Sequence, residues 1–458
     1  MTTYIEELWK LWETYVKNYV IGMEHYHKPT FHSVLGVVNQ IDFCWGAQVV
    51  STRTHPFLLD NSSIGKGQEI KSAHFLIDGM PGDVLGTIKV PIKLKSKFLH
   101  SVTEARLIGS QQFLGKKVIK NKQTGQSFSV PDVVETPALA KEYDFITFSE
   151  GSNLFNKNPY YSGVRKALLM ITDEPGWIDR DLKFSTGSGK FKSRSTIMTG
   201  SVMNYDIENS ILQEGLFQRF FDVFKILSEK ELDNVQDNLW DMLKADYLVG
   251  QSDAKNFYDK LTEICKEWKN KYKIVGGWNR VIEIDKDCIS VLKEQGKELR
   301  KKYFKEQFSG KLQNTITSFY GRVPIDICKI ATHEAVYNLK DKVDKDSFKY
   351  GFGVIGEHCK SVFELLSYID KTLKERKQTI LPQLDAEKIV VDILKKGEMS
   401  REELLTRLQA MYDNNRWLYA KSGTINFLEG LVGREIIERE YKGRVGVSGK
   451  VSFFKLKI

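Results

Sequence analysis

The chain has 458 residues, of which 41% are hydrophobic and 28% charged, the composition of a globular protein with two to four domains. No apolar run approaches the roughly 18 residues of a membrane span, and the opening Met1–Glu7 lacks the basic and apolar pattern of a signal peptide. Five scattered cysteines (Cys44, Cys265, Cys288, Cys328, Cys359) form no Cys-x-x-Cys pair and have no histidine at ligand spacing, which excludes a disulfide framework and structural zinc and points to a reducing cytoplasm.

The net charge of +9 is unevenly spread. Residues 87–122 hold eight Lys and one Arg against the single acid Glu104, and residues 183–194 add Lys183, Lys190, Lys192 and Arg194 with no acid. Local positive fields of this kind suit a polyanion such as nucleic acid.

In chain order, residues 1–50 begin with Ile5, Leu8, Leu11 and Trp12 at amphipathic-helix spacing, followed by a helix near Val34–Val38 and a strand near Ala47–Val50. This segment reads as packing, and His25, His27 and His32 as surface or core histidines rather than ligands. Pro56–Asp60 is then predicted as a short buried strand. It leads into Asn61, Ser62, Ser63, Ile64, Gly65, Lys66, Gly67 and Gln68, and on to a helix over 69–76. Strand, small-residue loop, Gly-Lys and helix form the layout in which backbone N–H groups and a helix N-terminus bind phosphate while a lysine reaches the β- and γ-phosphates. The match to G-x-x-x-x-G-K-[ST] is incomplete, with Asp60 at the first glycine position and Gly67 where a hydroxyl would hold Mg²⁺.

Residues 84–100 alternate apolar and basic, as in an edge strand with one cationic face. The run 116–130, carrying Lys116, Lys117, Lys120 and Lys122, predicts a β-hairpin turning at Gln123–Gly125. Tyr143–Glu150 reads as a buried strand that delivers the carboxylate of Glu150 to a sheet rim, with Ser149 before it. A helix over 162–172 follows, then a second basic hairpin over 183–192 and a strand over 195–204 ending on the amide of Asn204. Leu216–Phe224 sets Arg219 among apolar residues.

This order resembles the ATPase core of the minichromosome maintenance helicases and their viral or plasmid relatives in the AAA+ class, over roughly residues 55–340. Thr103–Ser110 is similar to the stretch before that family's helix-2 insert, Glu135–Ala140 to the run before its Walker B strand, and Leu216–Phe224 to its arginine-finger segment. Tyr320–Ala331 is similar to the family's second-sensor stretch, with Pro324 placed at a helix N-terminus. The resemblance implies an α/β P-loop AAA+ core with an enlarged α-helical lid. It implies that Ser62–Gln68 bind ATP and that Lys66 holds the β/γ-phosphates. Glu150 would polarise the attacking water and Asn204 position it, while Arg219 would reach a neighbour's γ-phosphate and Arg322 contact the phosphates from the lid. Magnesium would lie at Ser149 and Glu150. The sequence departs from the family at Gly67 and Ser149, both on the metal side, and in having no N-terminal zinc and OB-type collar.

Residues 226–378 read as helix-rich, with helices over 229–248, 253–272 and 287–308. Residues 379–458 read as a separate winged-helix domain. Its helices are expected over 385–396, 400–411 and 425–438, with Gly397 as a stop and Ser400 and Glu403 as a capping box, before a basic hairpin over 444–455 that carries Arg444 and Lys450. The predicted domains are therefore 1–50, 51–225, 226–378 and 379–458. The function they imply is an ATP-dependent DNA helicase or translocase for replication, working as a hexameric ring in the cytoplasm. Lys116, Lys117, Lys120, Lys122, Lys190 and Lys192 would grip single-stranded DNA in the channel, and Arg444 and Lys450 would touch duplex. The alternatives are a degenerate P-loop initiator or scaffold acting through its winged helix, and a loader-type ATPase without unwinding.

Overall fold

A computed structural model of the protein describes residues 3–20, 22–39, 41–60, 65–78, 94–100, 104–108, 110–120, 127–136, 138–148, 151, 162–173, 177–178, 191–193, 195–203, 217–242, 247–272, 274–275, 279–304, 308, 311–379, 383–413, 421–443 and 450–457. The chain divides into two compact units, Met1–Leu366 and Ser367–Ile458.

The first unit opens with α1 (Tyr4–Lys17) and α2 (His27–Val38). Thr3 and Glu6 form a capping box at the start of α1, whose predicted apolar stripe goes under at Ile5, Leu8 and Trp12, with Leu11 half-buried, and continues through Tyr15 and Val16. Strands β1 (Ile41–Trp45), β2 (Gln48–Val50) and β3 (Pro56–Asp60) follow, then α3 (Lys66–Asp78), β4 (Ser96–Leu99) and the short α4 (Glu104–Ile108). Strands β5 (Ser110–Lys120) and β6 (Ser127–Thr136) pair antiparallel, so the first basic hairpin is present and longer than predicted; its turn lies outside the described residues.

Next come α5 (Leu139–Glu142), β7 (Phe145–Phe148), α6 (Ser162–Thr172), β8 (Trp177–Ile178), β9 (Phe191–Lys192), β10 (Thr196–Val202) and β11 (Phe221–Lys225). Strand β9 pairs with β8, so the described ladder of the second hairpin starts before Lys183 rather than within 183–192. The remainder of the unit is α7 (Glu229–Met242), α8 (Tyr247–Lys271), β12 (Ile274–Val275), β13 (Asn279–Ile284), α9 (Ile289–Tyr303), α10 (Lys311–Tyr337), β14 (Lys342–Val343) and the part of α11 (Lys345–Thr379) up to Leu366.

The centre of this unit is a five-stranded sheet in the order β11-β3-β10-β7-β4, parallel throughout. All of β3 and β7, and six of the seven residues of β10, are buried, as expected of parallel strands covered on both faces. Strand β11 lies on the edge, and α11 satisfies its outer backbone groups. Phe224 N–H donates to Ser361 Oγ at 2.5 Å, Ser361 O–H donates to Phe224 O at 3.1 Å, and His358 Nδ1 lies 2.9 Å from Asp222 O. A second sheet, β12-β13-β1-β2 with β14 also on β13, joins residues 41–50 to 274–284 and 342–343.

Three expectations for this half are corrected. Residues 226–378 hold three strands as well as helices, because Ile274–Ile284 completes a sheet begun by β1 more than two hundred residues earlier. The helix predicted over 229–248 is two, α7 and α8. Pro324 lies inside α10 and does not start it. Packing of Val323, Ile327, Cys328, Ile330 and Ala331, all buried, outweighs the backbone hydrogen bond that proline removes.

The second unit contains α12 (Gln383–Leu394), β15 (Met399–Ser400), α13 (Arg401–Asp413), α14 (Lys421–Gly433), β16 (Ile437–Gly443) and β17 (Lys450–Leu456), with a sheet in the order β15-β17-β16. Its helices and sheet close on Val390, Leu394, Leu404, Leu408, Leu428, Leu431, Ile437 and Phe454. The glycine stop is real, since Gly397 has φ +131. The predicted helix over 425–438 ends earlier. Glu435 takes φ +60, and the N–H groups of Glu435 and Ile436 donate back to Val432 O and Leu431 O, which closes α14 and frees Ile437 onward to pair as β16.

Candidate functional site

Strands β3, β10 and β7 are adjacent and parallel, so their carboxyl ends reach one rim of the sheet, where open α/β sheets bind ligands. From β3 the chain passes Asp60 and the 61–64 loop, which lies outside the described residues with Ser62, Ser63 and Ile64. It re-enters at Gly65 and starts α3 at Lys66. Gly65 has φ +84, and its carbonyl accepts from the N–H groups of Gln68 and Glu69, both at 3.0 Å, so it caps the helix. Around Gly67 a Cβ would meet nothing within 4 Å, so the missing hydroxyl is not forced by crowding.

Lys66 is 5% exposed and its Nζ lies 2.5 Å from Asp60 Oδ1, while Tyr26 O–H donates to Asp60 Oδ2. Burial and the Asp60 carboxylate push the Tyr26 phenol well above its ordinary range, keeping it a donor. Beside them, His27 Nδ1 lies 2.9 Å from Glu69 Oε2, both side chains buried. Gly200 in β10 lets α3 pack closely, since a Cβ there would lie 3.3 Å from Lys66 Cβ and from Ile70 Cδ1.

Ser149, Glu150 and Asn204 lie outside the described residues, but the backbone on either side of the pair in question is placed. Phe148 pairs with Thr199, and Gly151 N–H donates to Gly200 O at 2.8 Å, so the described residues before 149 and after 150 are both fixed on β10. A Cβ at Gly151 would fall 2.7 Å from Phe57 Cε2 and 2.9 Å from Thr199 Oγ1, which is why only glycine fits there. Strand β10 ends at Val202, level with Asp60, two residues before Asn204.

Arg219 and Arg322 are brought together, but not to Lys66. Arg219 Nε lies 3.3 Å from Asp173 Oδ1 and Arg322 Nη1 3.9 Å from the same atom. Arg219 precedes β11, whose first residue pairs with Pro56, so both arginines belong to the amino edge of the sheet, roughly 13 Å of strand away from the Lys66 rim. Sequence reasoning missed Asp173, Tyr26, Gly151 and Gly200; only the glycines left a local signal, Gly151 just past a predicted strand end and Gly200 inside a predicted strand.

A cleft of about 610 Å³ opens along the edge strand β11, lined by His25, Lys28, Asp222, Lys225, Tyr350 and His358 among others. It adjoins the Lys66 rim, because Lys225 pairs with Asp60 across the sheet and His25 precedes Tyr26. Burial, together with Lys225 and His27, lowers the His25 pKa to about 3, and burial lowers His358 to about 4, so both rings are neutral at neutral pH. Burial also raises the carboxyl of Asp222.

Of the predicted nucleic-acid contacts, Lys116, Lys117 and Lys120 lie on β5 opposite Pro131, Val130 and Ser127, Lys192 on β9 opposite Trp177, and Lys450 on β17 opposite Gly443. Lys122, Lys190 and Arg444 lie outside the described residues. In the second unit, Lys442 pairs with Glu398 and Glu440, Lys455 with Glu438 and Glu440, and Arg439 with Glu429, so much of the hairpin's positive charge is met internally. The five cysteines are free thiols. Among the described residues no helix is long and apolar enough to cross a membrane, and no three His, Cys, Asp or Glu side chains group as a metal site. No protein-family model matches the chain, and no curated protein is similar to it.

Proposed function

We propose that the chain is an ATP-driven DNA translocase or helicase of the AAA+ class that works as a ring. One observation carries the reading: three adjacent parallel strands end on one rim, and from them the chain runs to Lys66, Glu150 and Asn204. Lys66 would hold the β/γ-phosphates at the start of α3, where helix N–H groups favour an anion. Glu150 would take a proton from the water that attacks the γ-phosphorus as the bond to ADP breaks, and Asn204 would orient that water. The adjoining cleft has the size of a ligand pocket and would take base and ribose. Ser149 and Glu150 would face a magnesium ion carried in with the phosphates, which would neutralise charge there; Gly67 offers it no hydroxyl, and among the described residues no three His, Cys, Asp or Glu side chains group as a metal site.

Arg219 and Arg322 lie on the far edge of their own sheet, so in this reading they serve a neighbouring subunit's nucleotide, which requires a ring. Lysines of the two hairpins would hold the DNA backbone without reading bases. Magnesium-dependent ATP hydrolysis with and without single-stranded DNA tests the proposal. DNA-stimulated turnover is expected, with Glu150→Gln and Arg219→Ala each reducing it by about 100-fold or more. An inactive parent protein would instead favour the scaffold reading, for which the altered metal-side positions Gly67 and Ser149 speak. Turnover without strand displacement on a forked substrate would favour a loader.

A further inference from the structure

The lysine at the head of α3 already holds an anion, one supplied by the chain itself. Asp60 is fully buried and gives one carboxylate oxygen to Lys66 Nζ, at 2.5 Å, and the other to the Tyr26 hydroxyl. The segment that carries Tyr26 packs against the end of β3 and the start of α3 at three points. A Cβ on Gly65 would lie 2.9 Å from Met23 Cγ, Tyr26 bonds Asp60, and His27 lies on Glu69. Lysine, carboxylate and phenol are thus one assembled unit whose positive charge is compensated inside the protein.

We infer that Asp60 is a positioning residue that competes with phosphate for Lys66, so that nucleotide binds by exchanging one anion for another at Nζ. This rests on the reading of Lys66 as a phosphate-binding lysine. The physical reason is the cost of a buried ammonium with no counter-ion, which Asp60 removes when no phosphate is bound. When a polyphosphate arrives, the same carboxylate becomes a like charge a few ångströms from it, in surroundings where such pairs interact more strongly than in water. Tyr26 keeps Asp60 hydrogen-bonded while Lys66 turns away, so the exchange leaves no carboxylate stranded. Asp60 therefore weakens nucleotide binding and speeds its release.

The test is the affinity of the full-length protein for N-methylanthraniloyl-ATP by fluorescence, with circular dichroism to confirm the fold of each variant. Asp60→Asn is expected to bind at least about tenfold more tightly than the parent, and Asp60→Ser, which removes the same charge with a smaller side chain, to do likewise. The gain must disappear in a Lys66→Ala background, as pairwise coupling requires. Tyr26→Phe, which removes a hydrogen bond to Asp60 but keeps the charge, must not reproduce it. Binding by the Asp60 variants where the parent shows none also supports the inference. Parent binding that depends on Lys66 but is unchanged or weakened in both Asp60 variants overturns it and leaves the proposed function standing. A gain that survives Lys66→Ala, or that Tyr26→Phe matches, overturns it too. Absence of binding in the parent and in both variants overturns the phosphate role of Lys66 as well.

Discussion

The two compact units treat charge in opposite ways. Residues 367–458 close over an apolar core, and among their described residues Ser400 and Thr424 are the polar side chains that go under, with no charged one. Cations and acids stay outside in partly exposed pairs such as Arg439 with Glu429. Residues 1–366 bury Arg53, Asp60, Lys66, Glu69, Asp222 and Lys329, together with five histidines. Hydrophobic burial alone accounts for the first arrangement. The second has to be held by partners such as those among Tyr26, Asp60 and Lys66, because an uncompensated buried charge costs several kcal/mol. Polar groups concentrated at the ends of a sheet mark where a protein does chemistry, whereas a uniformly apolar interior serves packing.

The strongest way to expose this difference is to hollow out the apolar core. Phe454→Ala should cost about 3 to 5 kcal/mol. Hydrogen exchange on the intact chain should show β16 and β17 losing protection while β3 and β10 keep theirs.

Acidification should act on the other unit. All eight histidines lie between His25 and His358, and none in residues 367–458. Burial lowers His333 from 6.5 to about 3 and His358 to about 4. Between pH 6.5 and those values the unfolded chain binds protons that the folded one refuses, so stability falls as pH falls. The loss is about 1.4 kcal/mol per pH unit for each group, or about 2 kcal/mol each by pH 5. Urea midpoints at pH 7 and pH 5, read by exchange in each unit, should drop for residues 1–366 first. His358→Phe should reduce that slope by about one proton.

Smaller effects belong to a helix cap and an ion pair of the second unit. Ser400 Oγ accepts from Glu403 N–H at 3.3 Å, and Glu403 Oε2 accepts from Ser400 N–H at 3.1 Å and from its hydroxyl at 2.7 Å. Ser400→Ala should cost about 1 kcal/mol in thermal or urea unfolding. Glu429→Gln breaks a pair whose side chains are 30% and 38% exposed, and should cost less than about 1 kcal/mol, falling further with added salt.

Much of the fold was legible because its signals are local. Helix α6 spans the residues that its sequence pattern predicts, Pro56–Asp60 and Phe145–Phe148 are buried strands, and the capping box at Ser400 and the stop at Gly397 stand where their chemistry places them. The strands at 274–284 were not legible, since a six-residue run with mixed charges becomes a strand only when β1 is there to pair with it. Pro324 misled for the same reason, its local meaning being overruled by the buried face of α10. At the site, Gly65 and Lys66 could be read from their own loop. Asp60 could be read only as a departure from a motif, and Tyr26 not at all.

What the sequence by itself determined is the order of the pieces: helix, strand, Gly-Lys, basic hairpin, buried strand, second basic hairpin and a three-helix unit with a terminal hairpin. These follow from periodicity, turn residues and caps, which act over a few residues. Only the tertiary structure decided that β3 lies between β10 and β11, that Arg219 and Arg322 share Asp173 on the edge away from Lys66, and that Lys66 rests on Asp60 under Tyr26. Those are contacts between segments far apart in the chain, or choices of side-chain partner made under burial, and no local pattern encodes which distant group will supply the compensating charge.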